Sequence, residues 1–281
     1  MNIRKYLESI EDMSNRKIVL TGATSGIGKE LLFHLLSKNA YVILLVHSPS
    51  HIEPLKEEIY RRYKNAQIDI IEYDQASFTH IENSIDELNK KHPDYDTVVL
   101  NAGVLTGKGR TKDNYPLTIG VNYLGVRHFI EYLSTTTKRK LKIVIQGSIV
   151  AYANVNKKSD LNKQYGLFKQ YNLSKGYLEA YFYYLYSKNI YPNFEYVLTE
   201  PGISSTNITR SFIKPIRFLG KYFLMIFFHS PKKASLPLLK GVSGSSHNGD
   251  YITPRGLFTL SGFPKDKEFP NRRKREYLFN R

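Results

Sequence analysis

Polar and apolar positions along this chain fall into two alternating kinds of block. Short, nearly unbroken apolar runs recur at 18–20, Tyr41–Val46 (YVILLV), 67–72, 96–100 (DTVVL), Leu141–Gln146 (LKIVIQ) and Phe194–Thr199 (FEYVLT). Such runs are what strands look like when both faces of a sheet are covered. Between them, apolar residues recur three and four positions apart: at Ile27, Leu31, Leu32 and Leu35, then over about 51–63, Phe78–Lys91, about 114–135, about 170–188 and near 232–240. A short strand near 251–253 closes the series. Strand alternating with helix predicts an α/β fold, a doubly wound parallel sheet of about seven strands with right-handed crossovers and helices on both faces. No repeat, low-complexity tract or Pro/Gly/Ser-rich linker divides the pattern, so one domain is expected over 1–281.

The stretch 17–30, KIVLTGATSGIGKE, organises the rest. An apolar strand enters a turn with Gly22, Gly26 and Gly28, and an amphipathic helix follows. Glycines let a backbone approach a pyrophosphate closely, and the open N–H groups of a helix start face its charge. A dinucleotide site on a Rossmann-type sheet is the implied use. The spacing is G-x-x-x-G-x-G rather than the commoner G-x-G-x-x-G, and a tight strand-to-helix connection without a ligand is the alternative.

Composition narrows the function classes. A chain of 281 residues with 41% hydrophobic and 13% aromatic content can bury one sizeable core. The absence of cysteine excludes disulfides, zinc knuckles and thiol catalysis. The eight histidines lack ligand spacing, so no metal is expected. The start, MNIRKYLESIEDMSNRK, is charged throughout and lacks an apolar core, so it does not read as a signal peptide and a cytoplasmic location is expected. The net charge of +16 is spread along the chain, densest at 138–142 and 272–275, and forms no aromatic-interleaved stripe. Nucleic acid is therefore not an expected partner.

The string TGATSGIG resembles the nucleotide loop of the short-chain dehydrogenase/reductase family. The resemblance extends over about 17–253, in the family's order. It implies cofactor contacts at Thr21, Gly22, Ser25, Gly26, Ile27 and Gly28, at His47 after the second strand, and at Asn101, Ala102 and Gly103, which match the family's NAG segment. Asp74, after the third strand, matches an acidic residue that bonds the adenine amino group; a plain Asx turn is the alternative. Asn122 (VNYLG), Ser148 (QGSIVA), Tyr171 and Lys175 (YNLSK) match the family's catalytic residues. Pro201, Gly202 and Thr206 match P-G-x-V-x-T, with Ser204 in place of the usual Val.

Y-x-x-x-K is a common accident in a chain with 22 tyrosines, and it starts here at Tyr60, Tyr165, Tyr171 and Tyr184. Tyr60 precedes the NAG strand and Tyr184 lies near the end of its helix. Tyr171 is preferred over Tyr165 because Ser174 precedes its lysine and because the distance to Pro201 suits one helix plus one strand. At i and i+4, Tyr171 and Lys175 share a helix face. Bringing a phenol from pKa ~10 to neutrality asks for roughly 4 kcal/mol of charge stabilisation, with Lys175 as one expected source. The long gap from Ser148 to Tyr171 is similar to the retinol-dehydrogenase-like and protochlorophyllide-reductase-like branches.

The resemblance implies an NAD(P)-dependent oxidoreductase acting on a small-molecule carbonyl or alcohol. Tyr171 would be the general acid/base, Ser148 would hold the substrate oxygen, Lys175 would bind ribose hydroxyls, and Asn122 would support a water relay. Residues 46–48 (VHS) carry no acid, so NADP is expected over NAD. The segment 212–228, FIKPIRFLGKYFLMIFF, within a lid at about 203–230, is too short and too charged to span a bilayer. As a lid it implies a bulky apolar substrate, with a membrane-surface helix, or packing in the core or in a homo-oligomer interface, as alternatives. A basic tail is expected over 264–281. Two rival functions stay open: a non-catalytic NAD(P)-sensing module, and a peripheral membrane-associated protein on the same fold.

Overall fold

In the computed structural model, residues 2–49, 52–152, 159–202, 230–256, 262–271 and 278–279 are described. Thr206, the apolar segment 212–228, the rest of the expected lid up to 229, and the basic cluster 272–275 lie outside the described residues.

Strands β1 (Lys17–Thr21), β2 (Tyr41–Val46), β3 (Ile68–Glu72), β4 (Thr97–Leu100), β5 (Leu141–Gln146), β6 (Phe194–Thr199), β7 (Tyr251–Pro254) and β8 (Pro264–Lys267) form one sheet in the order β3-β2-β1-β4-β5-β6-β7-β8. The pairings from β3 through β7 are parallel, and β8 runs antiparallel to β7. The doubly wound α/β architecture is thus the expected one with an added edge strand. β8, PKDK, is exposed at its last three residues, so it has no apolar run to betray it, and the expected tail begins as a strand.

The inner parallel strands bury both faces, whereas the edge strand β3 fully buries only Ile71. In β1, Val19 joins one core while Ile18 and Leu20 join the other; in β2, Ile43 and Leu45 oppose Val42, Leu44 and Val46. The first core is covered by α4 (Phe78–Lys91), α6 (Val126–Thr136) and α7 (Leu167–Ser187). The second is covered by α1 (Ile3–Glu8), α2 (Gly26–Leu36), α3 (Glu53–Arg62), α8 (Pro231–Ala234) and α9 (Leu236–Val242). A period of two with both sets buried yields the unbroken runs seen in the sequence. α1 is too short for its apolar spacing to stand out; Asn2 caps it, its Oδ1 accepting from Lys5 N at 2.8 Å. No helix among the described residues is long and apolar enough to cross a membrane.

The helix expected over 114–135 runs without a break from Leu117 to Thr136, but it is not α-helical throughout. It begins as α5 (Leu117–Ile119), widens into a π turn at Gly120–Gly125 and resumes as α6. The cause is non-local: the Asn122 amide, inside the π turn, pairs with the Val104 backbone in both directions at 2.8 Å. Likewise α7 starts at Leu167, after Tyr165. The strand order reverses at β1, which lies between β2 and β4. Above that switch point, at the carboxyl ends of the strands, such sheets bind ligands.

Candidate active site

The loop from β1 to α2 holds Gly22 at φ 70° and Gly26 at φ 57°, left-handed values that favour glycine. A methyl on Gly28 would lie 2.1 Å from Gly22 O and 2.5 Å from Asn101 Nδ2. Thr21 and Asn101 bind this loop to the end of β4. Thr21 Oγ1 accepts from Asn101 N and Ala102 N, both at 3.0 Å, while Asn101 Nδ2 donates to Thr21 O and Gly22 O at 3.1 and 3.2 Å. Both side chains were expected at a cofactor, and here they build its cradle. Ser25, at the N-cap of α2, makes no side-chain hydrogen bond to the first-turn amides. Those N–H groups open instead towards a cavity of about 510 Å³.

That cavity brings together most of the expected residues. Gly22, Ser25, Gly26, Ile27 and Gly28 form one wall; His47, Asp74, Asn101, Ala102 and Gly103 continue it; Tyr171, Lys175 and Pro201 close the far end. A glycine-walled groove running from a bare helix N-terminus to a Tyr–Lys pair fits a dinucleotide, with the pyrophosphate at α2. Thr21, Asn122, Ser148 and Gly202, the last at φ 72°, do not line it, though each is the chain neighbour of a residue that does.

At the far end, Lys175 is 5% exposed and its Nζ donates to Gln146 O at 2.8 Å. Burial pushes its ammonium down to about 8, against the opposite pull of the Glu179 carboxylate. Tyr171 is pushed above the ordinary phenol value, first by burial and also by Glu179, while a hydrogen bond with the Ser148 hydroxyl opposes the rise. For the chain alone the direction is therefore upward, towards the protonated phenol. Ser148 is itself 8% exposed. Asn122 Nδ2 also donates to Ser174 Oγ at 3.2 Å, and Ser174 Oγ donates to Tyr171 O at 2.8 Å, so the amide ties the π turn to α7.

Tyr165 does not share the helix of Tyr171. It lies ahead of α7 with Lys169 Nζ 4.4 Å and Lys163 Nζ 5.8 Å from its ring centre, so its own Y-x-x-x-K match is a surface cation–π contact.

At the other end, Asp74 accepts from Ala76 N at 2.9 Å, the local turn bond, and pairs with Lys112 Nζ at 3.1 Å and His47 Nε2 at 3.7 Å. Burial raises its carboxyl, but these three partners outweigh it and hold it below the usual range. His47 is largely exposed at the rim.

Four participants were missed in the sequence. Gln75 lines the cavity, its Nε2 donating to Val121 O at 2.7 Å and Ala102 O at 3.3 Å. Gln146 lends its carbonyl to Lys175 and accepts from Thr199 Oγ1 at 3.1 Å. Lys112 reaches Asp74 from a loop with no regular pattern. Glu179 carried a signal, since it falls four residues after Lys175 on the same helix face.

The short chain dehydrogenase family model matches residues 16–215, well over half of the chain. Among curated proteins, the polyprenol dehydrogenase of Danio rerio is 29% identical over 125 residues, which is 44% of this chain. The chain covers 38%, 36% and 33% of the lengths of the first three curated relatives. Among solved structures, an uncharacterized protein from Mycobacterium Paratuberculosis is similar at TM-score 0.75 and 20% identity, over 97% of this chain and 92% of that one. A short chain dehydrogenase from Burkholderia cenocepacia J2315 in complex with NADP gives TM-score 0.64 at 16% identity, over 83% and 92%. At such identities these likenesses to solved structures are likenesses of fold.

Proposed function

The chain belongs to the short-chain dehydrogenase/reductase family, and from that premise we propose that it is an NAD(P)-dependent oxidoreductase interconverting a carbonyl and an alcohol on an apolar substrate. The observation that carries the reading is one cavity lined both by the glycine loop at the start of α2 and by Tyr171 and Lys175 on α7.

When bound, the nicotinamide supplies or takes the hydride. The chain's own part is positioning and proton transfer. The α2 amides and the glycine loop would hold the pyrophosphate, and Lys175 would hold ribose hydroxyls. Ser148 steadies the substrate oxygen. Tyr171, kept protonated by its burial, donates its phenolic proton to that oxygen in the reducing direction and recovers it in the other. Asn122 keeps the π turn pinned to Val104 and Ser174, so that α7 presents Tyr171 at a fixed height.

NADP(H) is the preferred dinucleotide. No carboxylate ends β2, His47 is exposed at the rim, and Lys112 sits beside Asp74, so a 2′-phosphate would find the Lys112 ammonium and the His47 ring there. The apolar substrate class is supported by the relative named polyprenol dehydrogenase and by the apolar composition of 212–228.

The test is a panel of aldehydes, ketones and alcohols, from small and polar to long and apolar, run with NADPH and with NADH and read at the nicotinamide absorbance. Turnover should be fastest with NADPH and long apolar carbonyls. Absence of turnover with either dinucleotide sinks the enzymatic reading, and tighter binding of NADH sinks the NADP assignment. Equal rates on small polar and long apolar carbonyls remove the apolar substrate class.

A further inference from the structure

Glu179 is 1% exposed on α7, one turn beyond Lys175 and two beyond Tyr171, and nothing in the reaction above uses it. Its Oε1 accepts a hydrogen bond from Ser148 N at 3.2 Å. Gly147, just before, is gripped from the other side, its N donating to Thr199 O on β6 at 2.8 Å. A methyl on Gly147 would come within 2.9 Å of Glu179 Oε1 and 3.2 Å of Thr199 O, so the carboxylate reaches the backbone here because residue 147 has no side chain. Ser148 is thus tied to one helix at two points, through its N–H to Glu179 and through its hydroxyl to Tyr171.

The second tie depends on the first. The segment after β5 is a single 3₁₀ turn, Ile149–Tyr152. One bond of the turn, from Ala151 N to Ser148 O at 3.0 Å, holds the Ser148 carbonyl, but it leaves the Ser148 N–H to Glu179. A buried N–H that loses its acceptor must move to find another. The movement would carry the Ser148 hydroxyl with it, away from the phenol.

We propose that Glu179 is a positioning residue: its carboxylate fixes the Ser148 backbone against the helix that carries Tyr171 and Lys175, and so sets the spacing between the hydroxyl that holds the substrate oxygen and the phenol that protonates it. The catalytic consequence rests on the function proposed above; the contact itself does not. The same charge opposes the effect of burial at Lys175 and adds to it at Tyr171, as a group packed against both must.

Glu179→Leu removes the acceptor at similar volume, and Glu179→Gln keeps a carbonyl oxygen in its place. Three quantities are measured on the full chain: amide hydrogen exchange at 147–151, NADPH affinity by fluorescence titration, and kcat with the best carbonyl of the panel. Leu should speed exchange at Ser148 and lower kcat by at least about tenfold, with NADPH affinity within about twofold of wild type. Gln should restore slow exchange and most of kcat. A role in general stability alone would lower the melting temperature without separating Gln from Leu in kcat per NADPH-binding site. If Leu does not fold, Glu179→Asp, which draws the carboxylate back by one methylene, takes its place with the same expected losses. Unchanged exchange at Ser148 in Leu or Asp overturns the proposal, as does a Gln variant as impaired as Leu. A wild-type protein with no turnover would sink the reaction, while the exchange result would decide the contact independently.

Discussion

Lys175→Met separates the electrostatics of the site from its catalysis. The ammonium is 5% exposed, and burial brings it from an ordinary 10.5 to about 8. At ~1.36 kcal/mol per pH unit that fall is roughly 3 kcal/mol, the cost of keeping the site charged at neutral pH. Methionine has a similar length and no charge, so the variant is relieved of it. In exchange it loses the hydrogen bond to Gln146 O and leaves a buried carbonyl short of a donor, which costs about 1–3 kcal/mol. At pH 7 the variant should therefore be as stable as wild type, or more stable by up to about 2 kcal/mol. The pH dependence gives the sharper test. Because the folded pKa lies below the unfolded one, the unfolded chain binds more protons between pH 8 and 10.5, so wild-type stability rises with pH through that window. The wild-type minus variant difference should shift in favour of wild type by roughly 2 kcal/mol between pH 7.5 and 10, with the tyrosines common to both cancelling. Urea unfolding of both proteins at four pH values measures it. A difference that stays flat, or falls, with rising pH would refute the burial argument. At every pH the variant should also lose turnover and NADPH affinity, since the ammonium is asked to hold the ribose.

Two further outcomes test the register of the site. Tyr171→Phe removes the proton and keeps the ring, so it should cut turnover by at least about a hundredfold with NADPH binding nearly intact, whereas Tyr165→Phe, ahead of α7, should cost far less; the reverse order in steady-state rates would move the proton donor. Gly28→Ala places a methyl 2.1 Å from Gly22 O and should weaken NADPH binding by at least about tenfold, and wild-type affinity in a titration would mean that the loop does not carry the pyrophosphate.

Much of this arrangement was legible because its causes are local. The strands buried on both faces write unbroken apolar runs at Tyr41–Val46 and Leu141–Gln146, and the left-handed turns at Gly22 and Gly26 write glycine. Tyr171 and Lys175, four apart, are placed on one face by helix geometry alone. That they share a face could therefore be read before any contact was known, while the roles expected of them came from the family resemblance.

The rest depends on residues that meet only once the chain is folded. The π turn at Gly120–Gly125 answers to Val104, eighteen positions before Asn122, and no helical periodicity contains that partner. α7 begins at Leu167 after an extended Gly166, so Tyr165 is not its member. Thr21 and Asn101 carry cofactor-loop identities in the sequence, yet their hydrogen bonds go to each other's backbone across eighty positions. Asp74 looks like a free acid until Lys112 and His47 arrive beside it. Sequence alone determined the parallel strands, the loop and the face of α7, because backbone preference and periodic burial act over a few residues. Only the tertiary structure decided which groups are dry, which carbonyl receives Lys175 and which N–H receives Glu179, because solvation and hydrogen bonding depend on distance in space, and distance along the chain does not report it.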